Sequence, residues 1–433
     1  MGVRGAGLAL LFALCADVAA ADAGAWRPWL ELRPAEIVAP RFPDGAALRA
    51  LRSDSAWLER WATGAPSVAW NDVVAELVVR YQQNPLRAAR AYTYVHTAIH
   101  DALVACARRG CEPAVQPVAM HAAASRVLDH LYTGEASGRL EALGHSAAVA
   151  VLAAQGGHPQ AALAWQAGRE VAETAVRRAL VDGWDLPRLP QRRPPWQPGV
   201  WRASPPLNMY DPAEPHAGQW RTWVLKDGAE IEPPPPIEYG SAAYWAEVDE
   251  VRKVAAALSA EQKRIAEDWN LDLGSATPPG VWNLHAKQLV LDGRADAAAA
   301  ARIFAALNAA MMDSLIACWH SKFKWWTERP VTVIRAHQDA AFTPHVLTPA
   351  FPSYVSGHSS ASGAAAEVLA AFFPPEAARL RAMAHEASMS RLYGGIHFRS
   401  DNEQGLELGR KIGLRAVARA RETAPAQRAA TTR

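Results

Sequence analysis

Apolar and polar residues alternate with the period of an α-helix along most of the chain. Apolar side chains recur every three to four residues in long segments that are rich in Ala, Leu, Arg and Glu, which favour helices. The predicted helices cover residues 87–107, 139–154, 161–181, 242–258, 297–319, 359–373 and 376–392. Convincing β-strand alternation is absent from the sequence. The pattern therefore predicts an all-α fold built as a helical bundle.

Two further helix starts are marked by capping residues. Ser259 stands three positions before Gln262, and Ser400 stands three positions before Glu403. A Ser at the N-cap and a Gln or Glu three residues later satisfy each other's backbone N–H groups, which is the capping-box pattern. We therefore expect one helix to start after Ser259 and the last helix to start after Ser400.

Proline interrupts the helical pattern in the middle of the chain. Pro-rich stretches at 186–215 and 232–236 predict a long irregular crossover. This crossover either divides two domains or is draped over one continuous domain, and we favour the second arrangement. The chain is then divided into a leader over 1–21, an N-terminal helical region with the crossover over 22–240, and a C-terminal helical region over 241–421.

The first residues have the pattern of an export signal. Arg4 provides positive charge, residues 5–16 are apolar, and three alanines at 19–21 offer a cleavage site. The apolar run is too short to span a bilayer, which takes about 20 residues. Later apolar stretches of that length contain charges. We therefore expect an exported protein, periplasmic or secreted, without an integral membrane span in the mature chain.

The sequence allows one disulfide bond but does not decide whether it forms. Cys15 lies in the leader, and Cys318 is expected to be a small buried hydrophobe. Cys106 and Cys111 can meet if Gly110 ends the helix between them, and an oxidising compartment favours that bond. Within a continuous helix the two sulfurs lie too far apart to bond. The sequence leaves both possibilities open.

Composition and charge exclude one class of partner. The chain is 50% hydrophobic and 20% charged, its formal net charge is +2, and acids and bases are mixed along it. Basic runs interleaved with aromatic residues are absent, so nucleic acid is not an expected partner. Cys and His residues do not show metal-ligand spacing. The oligomeric state stays open.

The rarest chemistry of the chain lies between residues 322 and 401. Lys322 follows the end of the helix predicted over 297–319, and Pro330 is expected to stop any helix after Arg329. Two tryptophans lie between the two cations, which indicates that part of this segment is buried. A buried cation requires an anion, although two cations at this spacing can also be solvated.

A helix start follows the cations. Residues 351–355 disfavour a helix, and an Ala-rich helix is predicted directly after Ser356, Gly357 and His358. The N-terminus of a helix attracts anions through its unpaired N–H groups and its dipole. Gly357 carries no side chain that would block a ligand. Taken alone, this is also a common way for a structural helix to begin.

The last part of the cluster adds a cation, a histidine and an acid. Arg391 lies at a predicted helix end before a double-Gly loop, and His397 follows this loop. Asp401 stands four residues after His397 and can accept a hydrogen bond from one ring nitrogen. The tautomer would then be fixed, and the other nitrogen would be free to attack or to ligate. The whole cluster predicts a site for a small, highly charged tetrahedral oxyanion.

The cluster resembles the three-part motif of the vanadium-dependent haloperoxidase and type 2 phosphatidic acid phosphatase superfamily. Val355 departs from the Pro that the family usually has there. Residues 88–101 and 269–283 resemble segments of the soluble bacterial haloperoxidase-like members, so the resemblance covers most of the mature chain, and most strongly its last third. The matching positions are Lys322, Arg329, Ser356, Gly357, His358, Arg391, His397 and Asp401.

The resemblance implies two helical bundles with the anion site in the C-terminal one, within 241–421. It implies that His397 coordinates vanadium, or attacks phosphorus in a phosphatase, and that His358 is the acid–base group. The oxyanion would be held by Lys322, Arg329, Arg391, Ser356 and the Gly357 amide.

Three further residues have roles that the resemblance suggests. Asp272 is placed to pair with Arg391, and it can equally be a surface acid. Trp319 and Phe351 match positions that line the halide side in chloride-oxidising members, although aromatic residues also fill cores.

One cation site serves two reactions, because vanadate and phosphate are nearly isosteric. In a haloperoxidase, vanadate, hydrogen peroxide and a halide yield hypohalous acid, and Lys322 polarises the peroxide. In a phosphatase, His397 forms a phosphoenzyme from a phosphomonoester. The chain length and the upstream segments favour the haloperoxidase. A non-catalytic oxyanion-binding protein is the third possibility, and the presence of both His358 and His397 disfavours it.

Overall fold

The structure is a computed structural model that describes residues 22–32, 37, 40–50, 59–185 and 193–423. The predicted leader and the start of the crossover, 186–192, lie outside the described residues. The α-helices of the described part are α1 Gly45–Ala50, α2 Pro66–Arg80, α3 Pro85–Arg108, α4 Gln116–Leu131, α5 Arg139–Gln155, α6 Ala161–Ala179, α7 Ala242–Ala256, α8 Ala260–Asp268, α9 Thr277–Asp292, α10 Ala297–Trp325, α11 Pro330–His337, α12 Gly357–Phe372, α13 Ala377–Tyr393 and α14 Arg399–Arg421.

The all-α prediction is confirmed. Within the described ranges no β-strand occurs, and only two isolated β-bridges join distant segments. Each helix predicted from periodicity is present, as α3, α5, α6, α7, α10, α12 and α13. The start predicted after Ser259 is confirmed as well. The Ser259 side chain accepts from the Gln262 N–H, and the Gln262 side chain accepts from the Ser259 N–H.

The start predicted for the last helix is wrong. Helix α14 begins at Arg399, so Ser400 lies inside its first turn and is not the N-cap. The Ser400 hydroxyl and N–H instead bind the carboxylate of Glu247 on α7. Asp401 caps the helix, because its carboxylate accepts from the Phe398 N–H at 3.1 Å. Tertiary contact with α7 thus overrides the local capping pattern.

Proline starts two helices, and the prediction that Pro330 stops a helix is wrong. Pro330 is the first residue of α11, and Pro278 and Pro279 lie in the first turn of α9. The first turn of a helix needs no N–H donor from these positions, and the fixed φ of proline suits it. Neither of these two helices was predicted from the pattern.

Two helical bundles pack against each other through α10. In the N-terminal bundle, α3 is buried along most of its length and packs on α4 and α6. In the C-terminal bundle, α12 packs on α13 and α14. Helix α10 contacts both α3 and α12, and the Thr93 hydroxyl of α3 donates to the carbonyl of Asn308 in α10 at 2.9 Å. Both bundles therefore hold the helix that carries Lys322.

Helices α12 and α14 approach closely because glycines face their contact. A Cβ at Gly409 would lie 2.0 Å from the Ser360 carbonyl oxygen, and one at Gly405 would lie 2.8 Å from the Ser356 carbonyl oxygen. Any larger side chain would push the helices apart. This contact sets the start of α14 beside the start of α12.

Helix α10 is also the one described helix that is long and apolar enough to cross a membrane. Of its apolar window, 94% is buried inside the protein, as expected of a core helix.

The crossover lies over the C-terminal bundle. The Trp201 N–H donates to the Trp326 carbonyl at 2.6 Å, and the Ala213 N–H donates to the Ala350 carbonyl at 2.9 Å. The described part of the crossover contains no helix longer than the single turn Ala217–Gln219. The described part of the crossover is therefore an irregular loop that lies against the helices, and the domain division stays a prediction.

Cys106 and Cys111 are joined by a disulfide bond. Helix α3 ends at Arg108, and Gly110 has a φ of 75°, so the chain turns back between the two cysteines. Cys318 is free and buried.

Asp313 in α10 is expected to anchor the crossover. Its buried carboxylate accepts the N–H groups of Trp223, Val224 and Leu225 at 2.7 to 3.0 Å. Asp313→Ala leaves these donors without a partner, so we expect the free energy of unfolding to fall by about 2–4 kcal/mol. The exposed Asp272→Ala is the matched control and should change it by less than about 0.5 kcal/mol. Urea unfolding measures both, and equal stability of the two variants would contradict the anchoring.

Candidate oxyanion site

The ends of five helices meet around one buried point of the C-terminal bundle. Lys322 lies in the last turn of α10, and Arg329 is the residue directly before α11. Ser356 is the N-cap of α12, and Arg391 lies in the last turn of α13. His397 precedes α14. Helix ends carry unpaired backbone groups, so such a junction is rich in polar atoms before any side chain is counted.

Lys322 is fully buried and is held by backbone carbonyls. Its Nζ donates to the carbonyl oxygens of Pro352 at 2.9 Å and of Ser353 at 2.7 Å. Burial lowers the pKa of Lys322 from its ordinary value to about 7, and the charge of Arg329 acts in the same direction. Near neutral pH the Lys322 side chain is therefore divided between its ammonium and its neutral amine form.

Arg329 is buried, and one of its guanidinium nitrogens makes no hydrogen bond within the described part of the chain. Its Nε donates to the Phe351 carbonyl at 2.9 Å, and its Nη1 donates to the Ile396 carbonyl at 2.8 Å and to His397 Nε2 at 2.9 Å. Its Nη2 has no hydrogen-bond partner among the described residues. Burial lowers its pKa to about 10, so the guanidinium stays charged at neutral pH. A buried charged donor without a partner indicates a missing acceptor.

Arg391 and His358 are both held by the C-terminal end of α8. Arg391 Nη2 donates to the Ala266 carbonyl at 3.1 Å, and its Nε donates to the Ser390 hydroxyl at 2.9 Å. His358 Nε2 lies 2.9 Å from the Trp269 carbonyl, so this nitrogen carries the proton. Carbonyls at a helix end are free to accept such bonds. Burial lowers the pKa of Arg391 to about 9.

His397 is a neutral imidazole with a defined tautomer. A guanidinium can only donate, so the bond from Arg329 requires a lone pair on His397 Nε2. The proton therefore lies on Nδ1, which donates to Asp401 Oδ2 at 2.9 Å. Burial, together with the charges of Arg329, Lys322 and Arg391, lowers the pKa of His397 well below its ordinary value. The Nε2 lone pair accepts the Arg329 N–H, so a ligand that bonds to Nε2 would take the place of that N–H.

The start of α12 supplies two further donors. The Ser356 hydroxyl accepts from the Ser359 N–H at 3.4 Å, which leaves its own proton free to donate. Gly357 is the first residue of the helix, a position whose N–H has no partner within the helix. A Cβ at Gly357 would lie 3.4 Å from the Trp319 ring, so packing against that ring does not forbid a side chain there.

The site holds a positive charge that protein groups do not cancel. In the described part of the chain, the three cations hydrogen-bond only to carbonyls, the Ser390 hydroxyl and the neutral His397. Asp401 is the carboxylate that raises the pKa of both Lys322 and Arg329, and it is itself bonded to His397. Three buried cations face one carboxylate, an excess that a small oxyanion would balance.

The structure brings together the charged and polar residues that the sequence singled out, but it separates Asp272 from them. The Asp272 side chain is exposed and accepts only the N–H of Leu273 at 2.9 Å. The expected ion pair with Arg391 is therefore absent, and the surface-acid alternative holds. The loop after α8 turns Asp272 outward, while the Ala266 carbonyl takes the place beside Arg391.

Trp319 and Phe351 lie side by side next to the cations. Their ring centroids are 4.9 Å apart, and Lys322 Nζ lies 5.1 Å from the centre of the Phe351 ring. Arg329 Cζ lies 5.0 Å from the same ring. The two aromatic rings thus form an apolar side of the site, and Lys322 and Arg329 make cation–π contacts with the Phe351 ring.

Two contributions to the site were not predicted. Ser353 donates its hydroxyl to Asp401, and the α8 carbonyls of Ala266 and Trp269 bind Arg391 and His358. Ser353 and Asp401 are 48 residues apart, so no spacing rule joins them. Backbone carbonyls leave no mark on a sequence. The one available signal was the capping box at Ser259, which fixes where α8 begins.

Comparisons with known proteins find one family model and several solved structures. The model of the second helical-bundle domain of vanadium chloroperoxidases (VCPO) matches residues 302–381 and 376–425, which include the eight motif positions. A bacterial vanadium-dependent iodoperoxidase is 27% identical, with a TM-score of 0.67, over 81% of this chain and 95% of that protein.

A bacterial vanadium-dependent chloroperoxidase, solved in its holo form, is 16% identical, with a TM-score of 0.59, over 79% of this chain and 92% of that protein; at this identity it shows the fold alone. A search of curated proteins gives no match. Residues 302–425 therefore match the second helical-bundle domain of this family, and the chain as a whole is similar to bacterial vanadium-dependent haloperoxidases.

Lys322 makes oxyanion binding depend on pH. Because its pKa is about 7 in the free protein, we expect binding of an anion to require uptake of a proton above pH 7. Molybdate is a suitable probe, since it stays a tetrahedral dianion over this range. Its affinity should be constant below about pH 6 and fall up to about tenfold per pH unit above pH 7.

Calorimetry at pH 6 to 8.5 measures this change. The control is Lys322→Met, which is neutral at every pH, so its weaker binding should not vary with pH. Burial lowers the pKa values of His358 and His397, so their titration is not the expected source of this change. Constant affinity of the native protein over this range would contradict the assignment.

Proposed function

We propose that this protein is a vanadate-dependent haloperoxidase that oxidises a halide with hydrogen peroxide to a hypohalous acid equivalent. The observation that carries the proposal is the neutral His397 Nε2 beside three buried cations that have no carboxylate of their own. The 27% identity to a bacterial iodoperoxidase, over 95% of that protein, supports the same chemistry.

The residues present fit vanadate. His397 Nε2 offers one lone pair, which coordination would take over from the Arg329 Nη1 N–H, and the unpartnered Arg329 Nη2 offers a donor for an oxygen. Lys322, Arg391, the Ser356 hydroxyl and the Gly357 N–H would hold the remaining oxygens. Bound vanadate supplies the centre that activates hydrogen peroxide toward the halide.

The remaining residues prepare the site for proton transfer and exclude water. His358 is neutral and carries its proton on Nε2, so its Nδ1 is the atom that can accept a proton. Lys322 adds positive charge beside a bound oxygen, which stabilises negative charge that develops there. Trp319 and Phe351 keep that side of the site apolar, which suits a weakly hydrated halide.

We also propose that the protein works outside the cytoplasm. The leader pattern over 1–21 supports export, and the Cys106–Cys111 disulfide suits an oxidising compartment.

The proposed reaction is tested by two assays run side by side. Purified protein with vanadate and peroxide should oxidise iodide, bromide or chloride, measured as halogenation of an activated diketone. In the second assay the same preparation is given a nitrophenyl phosphate. Ready hydrolysis that vanadate only inhibits would replace our proposal with the phosphatase. Tight phosphate binding without either activity would replace it with an oxyanion-binding protein.

His397→Ala removes the ligating nitrogen, so we expect halide oxidation to fall by at least about a hundredfold. His130→Ala serves as the control, because His130 is a half-buried histidine in the N-terminal bundle. Activity of the His130 variant should be unchanged. Retention of activity in the His397 variant would show that the assigned nitrogen does not bind the reactive centre.

A further inference from the structure

The hydroxyl of Ser353 acts on the carboxylate that orients His397. Ser353 is fully buried, and its Oγ donates to Asp401 Oδ2 at 2.5 Å. The same oxygen accepts from His397 Nδ1 at 2.9 Å and from the Phe398 N–H at 3.1 Å. Ser353 Oγ also lies 3.4 Å from His397 Nδ1. Three donors on one oxygen fix the plane of the carboxylate, and with it the direction of the imidazole.

The backbone of the same residue holds the opposite part of the site. The Ser353 carbonyl accepts from Lys322 Nζ at 2.7 Å, and its N–H donates to the Thr327 carbonyl at 3.0 Å. The Thr327 hydroxyl in turn accepts from the Tyr354 N–H at 2.8 Å. The loop that carries Ser353 is therefore held on both sides, and the hydroxyl needs no rearrangement to reach Asp401.

We propose that Ser353 is a positioning residue of the oxyanion site, which directs the His397 Nε2 lone pair through Asp401 and the Lys322 ammonium through its own carbonyl. It rests on the proposed function only in that His397 Nε2 binds the anion, and it holds for vanadate and phosphate alike. Ser353 itself does not touch the reacting atoms.

A double-mutant cycle on anion affinity tests the route through Asp401. Molybdate binding is measured by calorimetry for the native protein, Ser353→Ala, Asp401→Ala and the double variant. Loss of the hydroxyl should weaken binding about tenfold in the native background. In the Asp401→Ala background the same substitution should lower the molybdate affinity by less than about twofold, because the carboxylate through which Ser353 acts is absent. An equal loss in both backgrounds would overturn the proposal.

Matched controls keep the cycle decisive. Ser314→Ala removes another fully buried hydroxyl of the core, one that donates to the Met311 carbonyl at 2.8 Å, and it should leave the affinity unchanged. If Ser353→Ala does not fold, Ser353→Cys keeps the volume with a much weaker donor and should lower the affinity in the same direction. For Asp401→Ala, Asp401→Asn is the corresponding substitute. Native affinity in a folded Ser353 variant would contradict the proposal.

A second readout requires no anion. In protein labelled with ¹⁵N-histidine, the His397 Nδ1–H gives a signal that His397→Ala removes. We expect this proton to exchange with solvent at least about tenfold faster in Ser353→Ala, because its acceptor is held less firmly. An unchanged exchange rate would overturn the proposal. Neither measurement uses peroxide or halide. A failure of the haloperoxidase assays would therefore not decide whether Ser353 positions His397.

Discussion

The burial of three cations without matching carboxylates is the constraint on which the site depends. Lys322, Arg329 and Arg391 are stabilised by the dipoles of backbone carbonyls, which satisfy some of their donors without cancelling their charge. A carboxylate partner would have formed a closed ion pair and left nothing for a ligand. The cost of burial is visible in the lowered pKa of each cation, and it is this unbalanced charge that makes a small oxyanion the fitting occupant.

The fold supplies those carbonyls at helix ends and in one loop. The end of α8 presents the Ala266 carbonyl to Arg391, and the loop before α12 presents the carbonyls of residues 351–353 to Lys322 and Arg329. Glycines allow α12 and α14 to pack closely. As a result, the Ser356 N–H donates to the backbone carbonyl of Asp401 at 2.9 Å. The same geometry that closes the C-terminal bundle therefore assembles the site, so core packing and function are difficult to separate here.

The sequence was sufficient where chemistry and spacing are local. Charged residues at fixed spacings identified the cluster, and the i, i+4 spacing of His397 and Asp401 correctly indicated their hydrogen bond. It was insufficient where long-range contacts decide. Ser400 looked like a cap until α7 supplied Glu247, Asp272 looked like a partner of Arg391, and Ser353 gave no signal at all. Pro330 was misread because its effect depends on whether a helix ends or begins there.

The most direct test of this account is a crystal structure of the protein grown with vanadate. We predict density bonded to His397 Nε2, with oxygens within hydrogen-bond distance of Lys322, Arg329 and Arg391 and of the Gly357 N–H. The carbonyl contacts of the three cations should be the same as in the free protein. A structure in which the anion binds elsewhere, or in which a carboxylate turns in to pair with Arg329 or Arg391, would contradict the claim that their charge is reserved for an oxyanion.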